Sequence, residues 1–495
     1  MSEPIASVPL SSTPSSTRTI DVLFVDLDGT LIATDLLQES VLLAVKRAPG
    51  LLLKLPELLW GNRAQFKQQL AAQVSCDPRV LPYRQEVLDY IHQQKAADCV
   101  IVLATASDQA WANSVAAELQ IFDDVLASDG ERNLKGANKL VEIQKYCTQH
   151  GYQRFGYIGD HVADLPIWKE ADEVQVVAPG AVLKTKLGEL NKPVHTLCER
   201  KSIVRPLIKA LRPHQWMKNL LLFVPLVLAH EVESVDKLIK CCWAFVAFSF
   251  VASAVYLLND LLDIESDRHH PKKRRRPFAS GSLPVAYGPA LIVILLLVST
   301  LISLVRLPPK FLGGLCAYAV LNLLYSFWLK RKLAIDVIVL AGMYTLRVVV
   351  GGLATGVDVS EWLLAFSLFF FTSLAFIKRF TELSRLAGED SKSARGRGYV
   401  VGDLSMIESI GPTSGYMSVL VLALYVNSQN SKELYSHSWA LWLICPLMMY
   451  WITRIWFVAK RGELDEDPLV YAFRDRISVA IGLCMVALVA IATRG

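Results

Sequence analysis

Residues 285–305 form a run of 21 without a single charge. As a helix, such a run crosses a bilayer core of roughly 30 Å. It belongs to a series: comparable runs lie at 241–259, 311–329, 362–377, 409–430, 439–453 and 477–493. Two weaker ones complete it, a short run at 220–229 and one at 337–356 that Arg347 interrupts. One apolar run also fits a buried helix of a water-soluble protein, but so many in succession do not, and about nine membrane spans are expected. The expectation for residues 205–495 is therefore an all-α transmembrane domain.

The first 180 residues have a different texture. Residues 1–19 are rich in Ser, Thr and Pro, have no apolar core, and are expected to be a disordered tail. From 20 to 180, short apolar runs at 22–25, 99–104, 155–158 and 174–178 are separated by longer amphipathic stretches. That alternation predicts an α/β domain with a parallel sheet and crossover helices. A helical insert over about 35–94 and a linker over 181–204 complete the expected organisation. Nine cysteines without a CxxC pair argue against a disulfide framework or a zinc ribbon. The net charge is only +5, and the cations sit in short blocks beside apolar runs, which points to a bilayer and not to nucleic acid.

In the N-terminal domain, Asp26-Leu27-Asp28-Gly29-Thr30 directly follows the first predicted strand. Past a strand end the chain can turn both carboxylates into one pocket, where one attacks phosphorus and the other protonates the leaving oxygen. Thr105 ends the second apolar run, and Gly159-Asp160-His161-Val162-Ala163-Asp164 follows the third. These polar groups all fall at carboxyl ends of parallel strands, where open α/β sheets bind ligands. Lys135 offers a cation for phosphate. Together the motifs resemble the haloacid dehalogenase (HAD) superfamily, in order and over about residues 20–180. The resemblance implies Asp26 as nucleophile and Asp28 as general acid and base. It implies Mg²⁺ held at Asp26, Asp28, Asp160 and Asp164, phosphate held by Thr105 and Lys135, and the 35–94 insert as a cap. Ser107 is an alternative to Thr105, and His161 reads as a surface loop residue.

In the membrane domain the strongest signal is Asn259-Asp260-Leu261-Leu262-Asp263-Ile264-Glu265-Ser266-Asp267. On one continuous helix, Asp260, Asp263 and Asp267 share a face at the end of a span. Three converging carboxylates repel unless cations lie between them, and oxygen ligands suit Mg²⁺ with a substrate phosphate. This NDxxDxxxD segment resembles the UbiA superfamily of intramembrane prenyltransferases, which implies nine helices around a cavity. A second DxxxD motif, usual in that family, is missing; Tyr325-Ser326-Phe327-Trp328-Leu329-Lys330 and a single Asp336 stand in its place. Cations are plentiful instead. Arg347 lies inside a span, on the face of Asp336 but roughly 16 Å away along the axis.

The stretch RPHQWxKN before the first span, YSFWLK and Asp336 resemble a polyprenyl-phosphate phosphoribosyltransferase branch. That resemblance implies phosphoribosyl pyrophosphate (PRPP) as donor and a polyprenyl phosphate as acceptor. Asp260, Asp263 and Asp267 would then carry Mg²⁺ and pyrophosphate, while Lys218, Lys330, Arg347 and Lys378 bind phosphates. Asn219, Asn259, Arg268, Tyr325, Asp336 and Arg379 complete the implied substrate site. Lys273 and Arg275, in the block 272–276, are candidates for the 5-phosphate, with solvated or lipid-facing charge as the alternative. Two competing readings are an aromatic prenyltransferase using a prenyl diphosphate, and a transporter with an attached phosphatase. Lys and Arg gather in loops after even-numbered spans: Arg268 and 272–276, then 330–332, then Lys378 to Arg397, then Lys460 to Arg476. The opposite side holds only Lys237, Lys240, Arg306, Lys310, Lys432 and Arg494, so the N-terminal domain and the Asp-rich segment are expected on the cytoplasmic side of an inner membrane.

Overall fold

The computed structural model describes residues 20–47, 68–388 except 69, 73 and 75, 398–464 and 467–493. The expected tail over 1–19 and much of the expected cap lie outside these residues. The chain forms two compact units, Met1–Ala210 with Asp260–Gly288, and Leu211–Asn259 with Pro289–Gly495. The Asp-rich segment thus belongs with the N-terminal unit, whereas the sequence reading assigned it to the membrane domain.

The first unit is built on six strands, β1 (Val22–Val25), β2 (Val100–Asp108), β3 (Asp124–Ser128), β4 (Phe155–Gly159), β5 (Glu173–Val177) and β6 (Val194–Cys198). All are parallel, in the order β3-β2-β1-β4-β5-β6. Alternate residues of a strand face opposite ways. Leu23 and Val25 of β1 accordingly pack with Val87, Ile91 and Trp111, while Val22 and Phe24 pack with Ile143, Ile167 and Trp168. Burial on both faces explains why β1 is apolar throughout. β3 and β6 escaped the sequence reading because they are edge strands with half-exposed, partly polar residues. Residues 181–204, expected as a linker, carry helix Ala181–Gly188 and β6. Val25 lies opposite both Leu103 and Ile158, so β1 and β4 end nearly together where the strand order reverses, while β2 runs on to Asp108.

The second unit is helical. Among the described residues, eight helices of the chain are long and apolar enough to cross a membrane: Val235–Leu262, Tyr287–Arg306, Pro309–Phe327, Ile335–Thr355, Glu361–Ala387, Val401–Val426, Ser438–Lys460 and Arg476–Thr493. The ninth expected span, over 220–229, is instead the end of a 3₁₀ run, Pro213–Phe223, continued by helix Val224–Leu228. Five α-helical residues reach only about 8 Å. Arg347 does not interrupt its helix, Ile335–Thr355.

Candidate active sites

The backbone N–H of Asp26 donates to the carbonyl of Ile158 at 3.0 Å, which carries the sheet one residue past β1. One carboxylate oxygen from each of Asp26, Asp160 and Asp164 lies within 4.8 Å of the others. Such an all-oxygen donor set fits a hard divalent cation such as Mg²⁺. Burial, reinforced by Asp26 and Asp164, pushes Asp160 up to about 8. That is the electrostatic cost a bound cation would relieve. Gly29 adopts φ +76°, and a Cβ there would stand 2.2 Å from Asp160 Oδ2. Only glycine lets the chain pass so close.

Asp28 faces other partners. Its Oδ1 accepts the Leu36 N–H at 2.8 Å and its Oδ2 accepts the Ser107 hydroxyl. Burial first, and then the Asp35 carboxylate, push Asp28 up to about 7, against those two hydrogen bonds. A carboxyl poised near neutrality suits proton transfer. Ser107 is therefore the residue that touches Asp28, and Thr105 supports it, its Oγ1 accepting the Ser107 N–H at 3.0 Å.

The lysine of this pocket is Lys139, not Lys135. Lys139 Nζ lies 2.8 Å from Asp26 Oδ1, 2.9 Å from Tyr157 Oη and 4.0 Å from Asp164 Oδ1. Burial works against its charge, but Asp26 and Asp164 outweigh burial and raise its pKa. Lys135 is exposed in the loop before helix Ala137–His150. Lys139 sits in the first turn of that helix, and side chains there lean back toward the helix start, hence toward the strand ends.

The Asp-rich segment is not one continuous helix. Helix Val235–Leu262 ends, and Asp263 caps a new short helix, Ile264–His269. The break takes Asp263 off the shared face; its Oδ1 accepts from Lys46 Nζ at 2.8 Å. Asp260 and Asp267 do meet, each buried, with Arg276 Nη1 between them at 3.1 and 2.6 Å. Burial raises Asp267 while Arg276 opposes the shift. Arg268, expected at the substrate, is engaged elsewhere: its two terminal nitrogens donate to Glu39 at 2.8 and 2.6 Å and its Nε to the Ala279 carbonyl. Asn259 is half-buried near the helix end, and Lys273 is exposed. Arg275 lines an open cavity of about 570 Å³ together with Arg79, Tyr83, Arg274 and Ser280.

In the helical unit, Lys218 Nζ lies 2.7 Å and Lys378 Nζ 3.4 Å from Asp467 Oδ2. The Tyr344 hydroxyl lies 3.1 and 3.0 Å from the two Asp467 oxygens. Burial tends to raise Asp467, but Lys218 and Lys378 outweigh it and hold the carboxyl well below the usual range. The same pairing outweighs burial at Lys218 and raises its pKa. Next door, Arg347 donates to Asn219 Oδ1, the Met343 carbonyl and Tyr318 Oη. Its guanidinium carbon also stands 4.9–5.4 Å from the ring centres of Phe248, Tyr318 and Tyr344. Asp336 forms a separate cluster with Arg379, Tyr399 and, through Arg379, Tyr325. Lys330 is half-buried in the turn Leu329–Arg331. Asp467 was missed by the sequence reading. Its signal is Asp-Pro at a helix start, a cap with proline at the first position.

Residues 220–477 match the UbiA prenyltransferase family, more than half of the chain. The chain belongs to the UbiA prenyltransferase family. Residues 23–169 match haloacid dehalogenase-like hydrolase. Among relatives, the uncharacterized protein y4nM of Sinorhizobium fredii is 36% identical over 93% of this chain and 89% of its own length. Nodulation protein NoeC of Azorhizobium caulinodans is 34% identical over 59% of this chain and 92% of its own. Decaprenyl-phosphate phosphoribosyltransferase of Mycobacterium tuberculosis is 33% identical over 58% of this chain and 94% of its own. This UbiA chain is thus an enzyme with an N-terminal HAD-type α/β region and a helical, membrane-spanning part.

Proposed function

We propose that this chain transfers phosphoribose from PRPP to a polyprenyl phosphate, releasing pyrophosphate, and then removes the 5-phosphate of the product. One observation carries the first step. Arg347 is buried inside a helix able to span a membrane, and among the described residues it meets neutral acceptors and aromatic faces but no carboxylate. A cation kept that way calls for an anionic ligand. The phosphoribosyltransferase named among the relatives supports a lipid phosphate as that anion.

In this reading, Lys218, Arg347 and Lys378 hold the lipid phosphate, whose oxygen attacks the anomeric carbon as pyrophosphate leaves. Asp260 and Asp267, which share Arg276, would hold Mg²⁺ with the pyrophosphate once Arg276 turns to the leaving group, while Asp263 stays with Lys46. Arg274 and Arg275 offer a place for the 5-phosphate. In the second step Asp26 attacks phosphorus while Asp28 protonates the departing sugar oxygen. Asp28 then takes a proton from the water that hydrolyses the aspartyl phosphate, and Lys139 balances the phosphoryl charge. Asp26, Asp160 and Asp164 would hold Mg²⁺, which would help to neutralise that charge. Both steps take place at the cytoplasmic face.

The test is incubation of purified protein with labelled PRPP and polyprenyl phosphate. Wild type is expected to give dephosphorylated polyprenyl-phosphoribose plus inorganic phosphate, and Asp26→Asn to accumulate its 5-phosphate. Turnover of a prenyl diphosphate with an aromatic acceptor, and none with PRPP, would replace this reading by an aromatic prenyltransferase. Identical lipid products from wild type and Asp26→Asn would assign the HAD-type site another substrate.

A further inference from the structure

The carboxylate of Asp467 stands among the very cations to which the lipid phosphate is assigned. It is firmly held there. Lys218 and Lys378 share its Oδ2, the Tyr344 hydroxyl reaches both oxygens, and the Leu469 N–H donates to Oδ1 at 3.2 Å. Its side chain is 7% exposed, and that of Lys218 is 8% exposed. Taking one member out of a buried pair strands the other charge, so this carboxylate is a fixed feature of the pocket. Tyr344 and Asn219 join the group to Arg347: the Tyr344 ring lies 5.7 Å from Lys218 Nζ and 5.3 Å from the Arg347 guanidinium, and Asn219 follows Lys218 in sequence.

An anion bound by these cations therefore also feels a fixed negative charge. A phosphomonoester carries about two charges at neutral pH, and a diphosphate carries more. Repulsion from Asp467 grows with headgroup charge, while its share of the Lys218 and Lys378 charge is no longer available to the ligand. We propose that Asp467 is a specificity residue that admits a lipid monophosphate and turns away a lipid diphosphate. The inference rests on the reading that Lys218, Arg347 and Lys378 hold the lipid headgroup. It deepens that reading by naming what excludes the commoner prenyl diphosphates.

The test compares polyprenyl monophosphate as acceptor with polyprenyl diphosphate of equal chain length as competitor, in the full-length protein. Wild type is expected to favour the monophosphate, and Asp467→Asn to narrow the preference by about tenfold, the scale of removing a like-charge contact. Asp467→Ser, an uncharged residue that still caps the helix at Leu469, serves if the first variant does not fold. Asp467→Glu keeps the charge and is expected to keep the preference; a ratio that follows the charge in this way is not what a purely structural role would give. An unchanged ratio in both uncharged variants, or a wild type indifferent to headgroup charge, overturns the proposal. A wild type that binds neither lipid instead overturns the assignment of the headgroup site.

Discussion

Lys135 and Lys139 are one helical turn apart in sequence, yet only the second reaches the carboxylates of the N-terminal unit. Lys139→Ala is expected to lower phosphomonoester hydrolysis about 10²–10³-fold, as loss of a charge-stabilising group does, while Lys135→Ala stays within about twofold. Steady-state release of phosphate from a generic aryl phosphate reads both. Asp28 and Asp160 give a pH prediction. Each is raised on folding, to about 7 and about 8, so each holds its proton more tightly in the folded state. Their contribution to stability is complete below the ordinary carboxylate value and is lost as pH rises through 7 and 8. The metal-free protein should therefore lose melting temperature between about pH 4 and 8, and Mg²⁺ should restore most at the alkaline end. Thermal unfolding across that range, with and without Mg²⁺, checks it. The paired aspartates after β1 and β4 could be read from sequence because strand ends bring them together by a local rule. Lys139, Arg276 and Asp467 could not. The partners of Lys139 and Asp467 are distant in sequence, Arg276 reaches Asp260 and Asp267 only across an irregular loop, and the selection of all three depends on helix phase and loop path.

Among elements, the long apolar helices were legible because length and composition alone define them, and the central strands because burial on both faces makes them apolar. Edge strands carry no such signature, and the helix break at Asp263 has no proline or glycine to announce it. The short segment 213–228 shows a different limit. The 220–229 run resembles a span, but its path is set by packing against helix Ile335–Thr355. Gly351 of that helix comes so near that a Cβ would stand 2.1 Å from the Leu222 carbonyl oxygen. Backbone has little room to yield, so Gly351→Ala should destabilise the helical unit by about 1–3 kcal/mol. A lower melting temperature in detergent, with the HAD-type phosphatase unaffected, is the expected result.

At the scale of the whole molecule, chain order and spatial grouping disagree: residues 260–288 come after the first long membrane helix, yet belong to the N-terminal unit. Helix Leu36–Arg47 shows what that means. Its first N–H holds Asp28, Glu39 in its first turn takes both terminal nitrogens of Arg268, and Lys46 near its end takes Asp263. Glu39 and Arg268 are both buried, and a buried ion pair that loses one member costs about 3–5 kcal/mol. The phosphatase is consequently not a portable cassette. A gene cut after Ala210 would encode a protein whose Glu39 has lost its counter-charge. Such a fragment should melt below the same unit in the intact chain. Glu39→Gln should stabilise the fragment while destabilising the full-length protein, a reversal of sign that melting curves of the four proteins would display. The fusion is written into the charge balance of the fold, so splitting the gene would demand a compensating mutation at the same moment.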